Sequence, residues 1–355
     1  MGSSQNSSRR EVQPRGAEKH EGLSIALFTQ IPDLMRRFEE HFRPSKKPPG
    51  AYIVDGPDCL HLVRDVLEPL SPEGRQAVRG VLVGEDGRFE PWSAVPVETL
   101  LLRLETPWLT EMLAKESVRF EYQPIVNART GLVFAFKALM RSSHESARQV
   151  GPLEIIAAAK AHGRTLDLDA MCRRQAVIQG LHHLEPHEHF VLNFLPMAVC
   201  DSAFCVKGTV KVAESIGFDP SRLIFEMSVA HELPDLDFLR TMIQTYRRLG
   251  VKIGMSDVST ANAPLGLIDR IEPDFIKVDQ RLVKKAATSR KFAIIHGIFR
   301  LAQERGIKVI AERLETEMEY QLVRLLDVDY LQGFLIGRPE AIPNRSVRLP
   351  WRAAG

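Results

Sequence analysis

Between Arg119 and Gly337 the chain repeats one short theme eight times: RFEYQPIV, LVFAFKALM, FVLNF, LIFEMS, KIGMSD, FIKVDQ, KVIAER and YLQGFLIG. Each run is short and apolar at consecutive rather than alternate positions, the pattern of strands buried on both faces. The first two are joined by NARTG, a hairpin-length loop, whereas later runs are separated by helix-like stretches such as LEIIAAAKAHG, SAFCVKGTVKVAESIG and FAIIHGIFRLAQERG. Eight strands with helical crossovers predict an α/β fold, a (β/α)8 TIM-like barrel with an antiparallel first strand.

Chemistry in such barrels gathers at the carboxyl ends of the strands. The polar residues that interrupt the apolar runs fall there: Lys137, Asn193, Glu226, Ser256, Asp257, Asp279 and Glu312. An antiparallel first strand brings its beginning, near Gln123, to the same face. Carboxylates and an Asn carbonyl are hard oxygen ligands suited to Mg²⁺, Mn²⁺ or Ca²⁺. Two such ions about 3.5–4 Å apart polarise a phosphodiester and generate hydroxide for in-line attack. Lys277, on the same strand face as Asp279, would orient that water or neutralise phosphate charge. The residues alone point to metal-assisted phosphodiester hydrolysis, or a descendant of it. Lys137 stands out, because an ammonium in an apolar run needs a counter-charge or a job.

The order and spacing of YQPIV, KALMR, NF, FEMS, GVKIGMSDVS, FIKVD, AERLE and QGFLIGRP, from about Glu116 to Pro339, resemble the EAL domain family, barrels that hydrolyse cyclic di-GMP with two divalent ions. The resemblance implies metal-ligand or metal-water positions at Asn193, Glu226, Asp257, Asp279 and Glu312. It implies the catalytic lysine at Lys277, with Glu312 sharing the catalytic set, and a loop-steadying role for Glu315. Gln123, Leu139, Arg141 and Gln332 align with positions that hold the dinucleotide.

Two departures matter. Lys137 stands where the family signature has a metal-binding Glu, and Ser256 replaces the aspartate that bridges both ions. The following loop is rewritten at Val258, Ser259 and Ala261, and Val229 replaces an acidic residue. An ammonium in a cation site repels what should bind there, so Lys137 is expected to act as a built-in cation among Glu226, Asp257 and the other acids. The resemblance then implies a degenerate member without a cofactor, Mg²⁺ or Mn²⁺ entering only if residual activity exists. Its expected function is an inactive regulator that binds cyclic di-GMP without metal, or has kept only part of that site, and signals through contacts with a protein partner. The alternatives are a protein-interaction scaffold that binds no nucleotide and a weakly active phosphodiesterase; a homodimer is a further candidate assembly.

Ahead of the barrel, SIALF, PDLMRRFEEHF, AYIVD, CLHLVRDVLEPL and GVLVG alternate strand and helix patterns, predicting a small α/β module over residues 22–105 that serves a regulatory or sensory role. Thr29 and Gln30 stand where a phosphorylated receiver would carry acids, so Asp55 and Asp86 read as turn residues. Residues 1–21 read as a disordered polar leader, 106–345 as the barrel and 346–355 as a tail. With Lys+Arg 47 against Asp+Glu 45 and a net charge of +2, the chain carries no field toward nucleic acid. Four cysteines without CxxC spacing and the lack of an apolar 20-residue run point to a cytoplasmic protein with no membrane span. The HHLEPHEHF stretch lacks zinc-site spacing and reads as a solvated loop.

Overall fold

A computed structural model describes residues 23–46, 50–147, 149–195, 202–229, 235–258, 265–279 and 291–347. The chain divides into two compact units, Met1–Thr106 and Pro107–Gly355.

The first unit is built on a five-stranded sheet in the order β2-β3-β1-β4-β5, with β1 at Ser24–Phe28, β2 at Arg43–Pro44, β3 at Ala51–Asp55, β4 at Arg79–Leu82 and β5 at Val95–Pro96. Every pairing in it is antiparallel. Ile25 and Leu27 of β1 lie opposite Val54 and Tyr52 of β3, so these alternate positions share one face. That face buries Phe38 from helix Pro32–His41, Val63 from helix Cys59–Leu67 and Leu100 from helix Val97–Glu105 in a single core.

The second unit is a closed barrel of eight strands: β6 (Val118–Asn127), β7 (Val133–Ser142), β8 (His189–Asn193), β9 (Leu223–Ser228), β10 (Lys252–Val258), β11 (Phe275–Asp279), β12 (Lys308–Glu312) and β13 (Tyr330–Gln332). β6 runs antiparallel to both β7 and β13, and every other neighbouring pair is parallel. Helices such as Thr165–Gly180 and Leu236–Arg248 supply the crossovers. The continuous apolar runs are explained by the two faces they bury. Phe225 and Met227 of β9 pack outward against the helices, while Ile224 joins Ile125, Ala135, Val191, Phe275 and Ile310 in a separate interior cluster. Phe134 and Tyr330 stack with ring centroids 4.0 Å apart beside that cluster. The amino-terminal end of the barrel is thus filled mainly with hydrocarbon, His189 stacking on Phe134 there and meeting Lys252 at 3.2 Å, while the cluster of charged and amide side chains lies toward the carboxyl end.

One irregularity shapes that end. Between Met255 and Val258 the register of β10 against β11 shifts, and Asp257 adopts a left-handed φ of 56°. A bulge of this kind re-aims side chains next to a site, and here it falls on Ser256 and Asp257.

Candidate functional site

Strand register places the site residues at one level. Gln123 of β6 pairs with Lys137 of β7, Asn193 of β8 with Glu226 of β9, and Asp279 of β11 with Glu312 of β12. The interior side chains at this level form a continuous chain of contacts. Lys137 Nζ donates to Glu226 Oε1 at 2.6 Å, and Lys277 Nζ lies 2.8 Å from Oε2 of the same carboxylate. Lys277 also donates to Gln332 Oε1 at 2.6 Å and stands 3.6 Å from Glu312 Oε2. Gln332 Nε2 in turn donates to Gln123 Oε1 at 2.8 Å, and Gln123 Nε2 to the Gly337 carbonyl at 3.2 Å. Glu226, Lys277, Gln332, Gln123 and Glu312 are all buried, and the Lys137 side chain is only 12% exposed.

The charges are mutually dependent. Burial pushes the Glu226 carboxyl up, but Lys137 and then Lys277 outweigh it and hold its pKa below the ordinary carboxylate range. Burial likewise opposes the Lys137 ammonium, yet Glu226, with Glu312 and Asp257 behind it, raises its pKa above the ordinary value. At Lys277 burial prevails, helped by repulsion from Lys137, and the pKa is lowered despite Glu226.

Asp257 is neutralised separately. Arg313 Nη2 donates to its Oδ1 at 3.1 Å, and the Ser228 hydroxyl donates to its Oδ2 at 2.6 Å. The Ser256 hydroxyl turns to the Met227 carbonyl at 3.4 Å. Sequence reasoning singled out neither Arg313 nor Ser228. The Arg of AERLE reads there as an ordinary polar residue after a strand, and its partner belongs to another strand.

The remaining candidates are dispersed. Arg141 is held on the β6–β7 ribbon, its Nη2 2.8 Å from Glu121 Oε2 and its Nη1 donating to the Met140 carbonyl at 2.9 Å. Leu139 is half-buried opposite Glu121, and Asn193 is exposed. Glu315 is exposed too; its backbone N–H donates to Glu319, whose carboxylate caps helix Glu317–Arg324 through Thr316. The loop that Glu315 is expected to steady, with Ser259 and Ala261, lies outside the described residues, as does the Asp279 side chain.

The described side chains do not fit a pair of divalent ions. Both oxygens of Glu226 face ammonium groups, both oxygens of Asp257 are engaged, and Lys137, Lys277 and Arg313 already balance Glu226, Asp257 and Glu312. A divalent ion ~4 Å from an ammonium meets a repulsion of about 8 kcal/mol at an effective dielectric near 20, before relaxation. Among the described residues no group of three or more His, Cys, Asp or Glu side chains is arranged to hold a metal ion.

The family model described as EAL domain matches residues 107–339, the whole barrel. The chain belongs to the EAL domain family. Among relatives of this EAL chain, "Cyclic di-GMP phosphodiesterase NbdA" of Pseudomonas aeruginosa is 29% identical over 240 residues, which are 65% of this chain but 30% of that protein. "Cyclic di-GMP phosphodiesterase PdeL" of Escherichia coli is 25% identical over 248 residues, 67% of each chain. The first two curated relatives, from Sinorhizobium fredii and Caulobacter vibrioides, are matched over only 28% and 30% of their own lengths. The EAL domain of FimX from Xanthomonas citri, solved in complex with c-diGMP, superposes with a TM-score of 0.61 at 18% identity, over 70% of this chain and 99% of that one. Its likeness bears on the fold. No helix among the described residues is long and apolar enough to cross a membrane.

Proposed function

We propose that this EAL barrel is a metal-independent, non-hydrolysing receptor for cyclic di-GMP that signals through protein contacts. One observation carries the reading: the Lys137 ammonium lies 2.6 Å from Glu226, where a cation is needed to neutralise a buried carboxylate. A fixed ammonium supplies that charge but, unlike a divalent ion, coordinates no water and lowers no water pKa, so it offers no hydroxide for attack on phosphorus. Lys277 is likewise committed to Glu226 and Gln332 rather than to a nucleophile. What remains is a polar mouth with Arg313 at its rim and Arg141 on the adjoining β6–β7 ribbon, suited to hold a phosphodiester rather than cleave it. The names of several relatives supply the ligand class. The small N-terminal unit is the natural element through which binding would be read out.

A specific observation favours a second reading, a scaffold that binds no nucleotide. Arg141 is already paired with Glu121, and Gln123 and Gln332 bond to each other. Calorimetric titration of the full chain with cyclic di-GMP, in EDTA and again in Mg²⁺, separates the two. The receptor reading expects saturable binding unaffected by chelator, and a flat titration overturns it. Turnover on the order of 1 per second or faster with Mg²⁺ or Mn²⁺ overturns the loss of catalysis.

A further inference from the structure

The barrel mouth carries a cation that no sequence motif announces. Arg313 directly follows β12, and its guanidinium reaches Asp257 near the end of β10 at 3.1 Å. β11 lies between those two strands in the barrel, so the ion pair crosses the carboxyl end of β11, the strand that carries Lys277. Both partners hold left-handed backbone, φ 56° at Asp257 and 60° at Arg313, a region that disfavours any residue with a Cβ. Strain of this kind persists where the surroundings over-determine it and clusters at ligand sites.

The pair has little to do for stability. The Arg313 side chain is 48% exposed and that of Asp257 24%, and exposed ion pairs add little to a fold. Its position matters more. Lys137 and Lys277 are buried against Glu226, and the Arg141 side chain is 29% exposed and paired on the β6–β7 ribbon. Of these four cations Arg313 is the most exposed. Its counter-ion also has somewhere to go, because the Ser228 hydroxyl already holds the other oxygen of Asp257. A planar guanidinium matches two oxygens of a phosphodiester, which a lysine cannot reproduce.

We propose that Arg313 is a phosphate-contacting residue of this mouth, exchanging its bond to Asp257 for one to a phosphodiester oxygen of a bound cyclic dinucleotide. This inference rests on the receptor reading above. Titration of the full chain with cyclic di-GMP in EDTA tests it, using the parent, Arg313→Gly and Asp257→Asn. Glycine accepts the left-handed backbone, so Arg313→Gly is expected to melt no lower than the parent and to bind at least about tenfold more weakly, the loss of a charge-assisted contact. Asp257→Asn removes one competing carboxylate and is expected to bind at least about threefold tighter, a gain well within the strength of one such contact. A parent that does not bind overturns both readings. A parent that binds while Arg313→Gly matches its affinity overturns this one alone, as does an Asp257→Asn variant that gains nothing.

Discussion

Lys137 Nζ lies 2.6 Å from Glu226 Oε1, so a side chain from β7 delivers to the interior of β9 the positive charge that its carboxylate requires. The two strands are not neighbours; β8 runs between them. The contact therefore bridges over β8 inside the barrel at the level of the site, and its charge is covalently tethered. A tethered cation cannot be lost to a chelator, nor can it carry a nucleophile.

That tether has unequal consequences for its two ends. Lys137→Met removes one ammonium but leaves Lys277 at 2.8 Å from Glu226 Oε2, so the carboxylate keeps a counter-charge. The expected loss is about 1–3 kcal/mol, the range for leaving a buried acceptor without one of its partners. Glu226→Gln leaves two buried ammonium groups facing each other without an anion between them, and roughly 3–5 kcal/mol is expected. Urea or guanidinium unfolding of both variants checks the ordering; equal losses would mean that Lys277 does not share the carboxylate.

Creating a site for divalent ions should take two changes. Lys137→Glu puts a carboxylate where the ammonium stands, and Ser256→Asp puts one on the β10 bulge, where the serine reaches a backbone carbonyl. Mg²⁺ is expected to leave the parent's melting temperature unchanged and to raise that of the double variant by mass action. Any hydrolysis of cyclic di-GMP is expected in the double variant and in neither single one. Thermal melts with and without Mg²⁺, followed by product analysis, measure both.

Much of this was legible in the sequence because the barrel writes its strands as doubly buried runs, and polar interruptions at their carboxyl ends mark the mouth. A lysine in such a run demanded an anion, and the structure pairs Lys137 with Glu226, while Asp257 takes other partners. Arg313 was not legible. Its role depends on a left-handed backbone and on a partner two strands away around the barrel, and neither leaves a local pattern. Pairing in the N-terminal sheet was also hidden, because β2 and β5 are two residues each and give no periodicity, while strand-helix alternation does not say which way strands run.

Acid should expose the Glu226 network. Burial opposes its charge, but Lys137 and Lys277 hold its folded-state pKa below the ordinary 4.5. The stabilising contribution is therefore complete above 4.5, where the unfolded group is ionised, and is lost as pH falls from there through the lowered folded-state value. Lys137 behaves oppositely: its raised pKa means a contribution present below 10.5 and lost as pH rises through the folded-state value. Glu226→Gln, though less stable at neutral pH, should show a flatter acid limb than the parent in unfolding measured from pH 6 down to about pH 2.

Arg141 gives a prediction that separates pocket from ribbon. Its guanidinium sits 2.8 Å from Glu121, both partly exposed. If it also holds the ligand, Arg141→Ala should weaken cyclic di-GMP binding about tenfold or more with little change in melting temperature, as a surface pair contributes little stability. Glu121→Gln, which frees the guanidinium, should bind at least as tightly as the parent. Titration of both variants decides it; unchanged affinity in Arg141→Ala would confine the arginine to the ribbon.

Gly333 is where fold and site meet most tightly. A Cβ there would stand 2.1 Å from the Leu314 carbonyl oxygen and 2.2 Å from its nitrogen, far inside contact distance and against backbone that cannot swing aside. The close approach exists because Leu314 N–H donates to the Gln332 carbonyl at 3.1 Å and Leu335 N–H to the Leu314 carbonyl at 2.9 Å, tying the end of β13 to the segment after β12. Gln332 is thereby held against Lys277, and Arg313, one residue before Leu314, is held toward Asp257. Gly333→Ala must push these two segments apart, so it should cost more than about 2 kcal/mol, in the range of substitutions that strain packed backbone. It should also weaken ligand binding although no side chain of the site has changed. Glycine-to-alanine exchange at Gly208, inside helix Ser202–Ser215 where an added Cβ meets nothing within 4 Å, provides the control and should leave binding at the parent value and stability equal to it or up to about 1 kcal/mol higher.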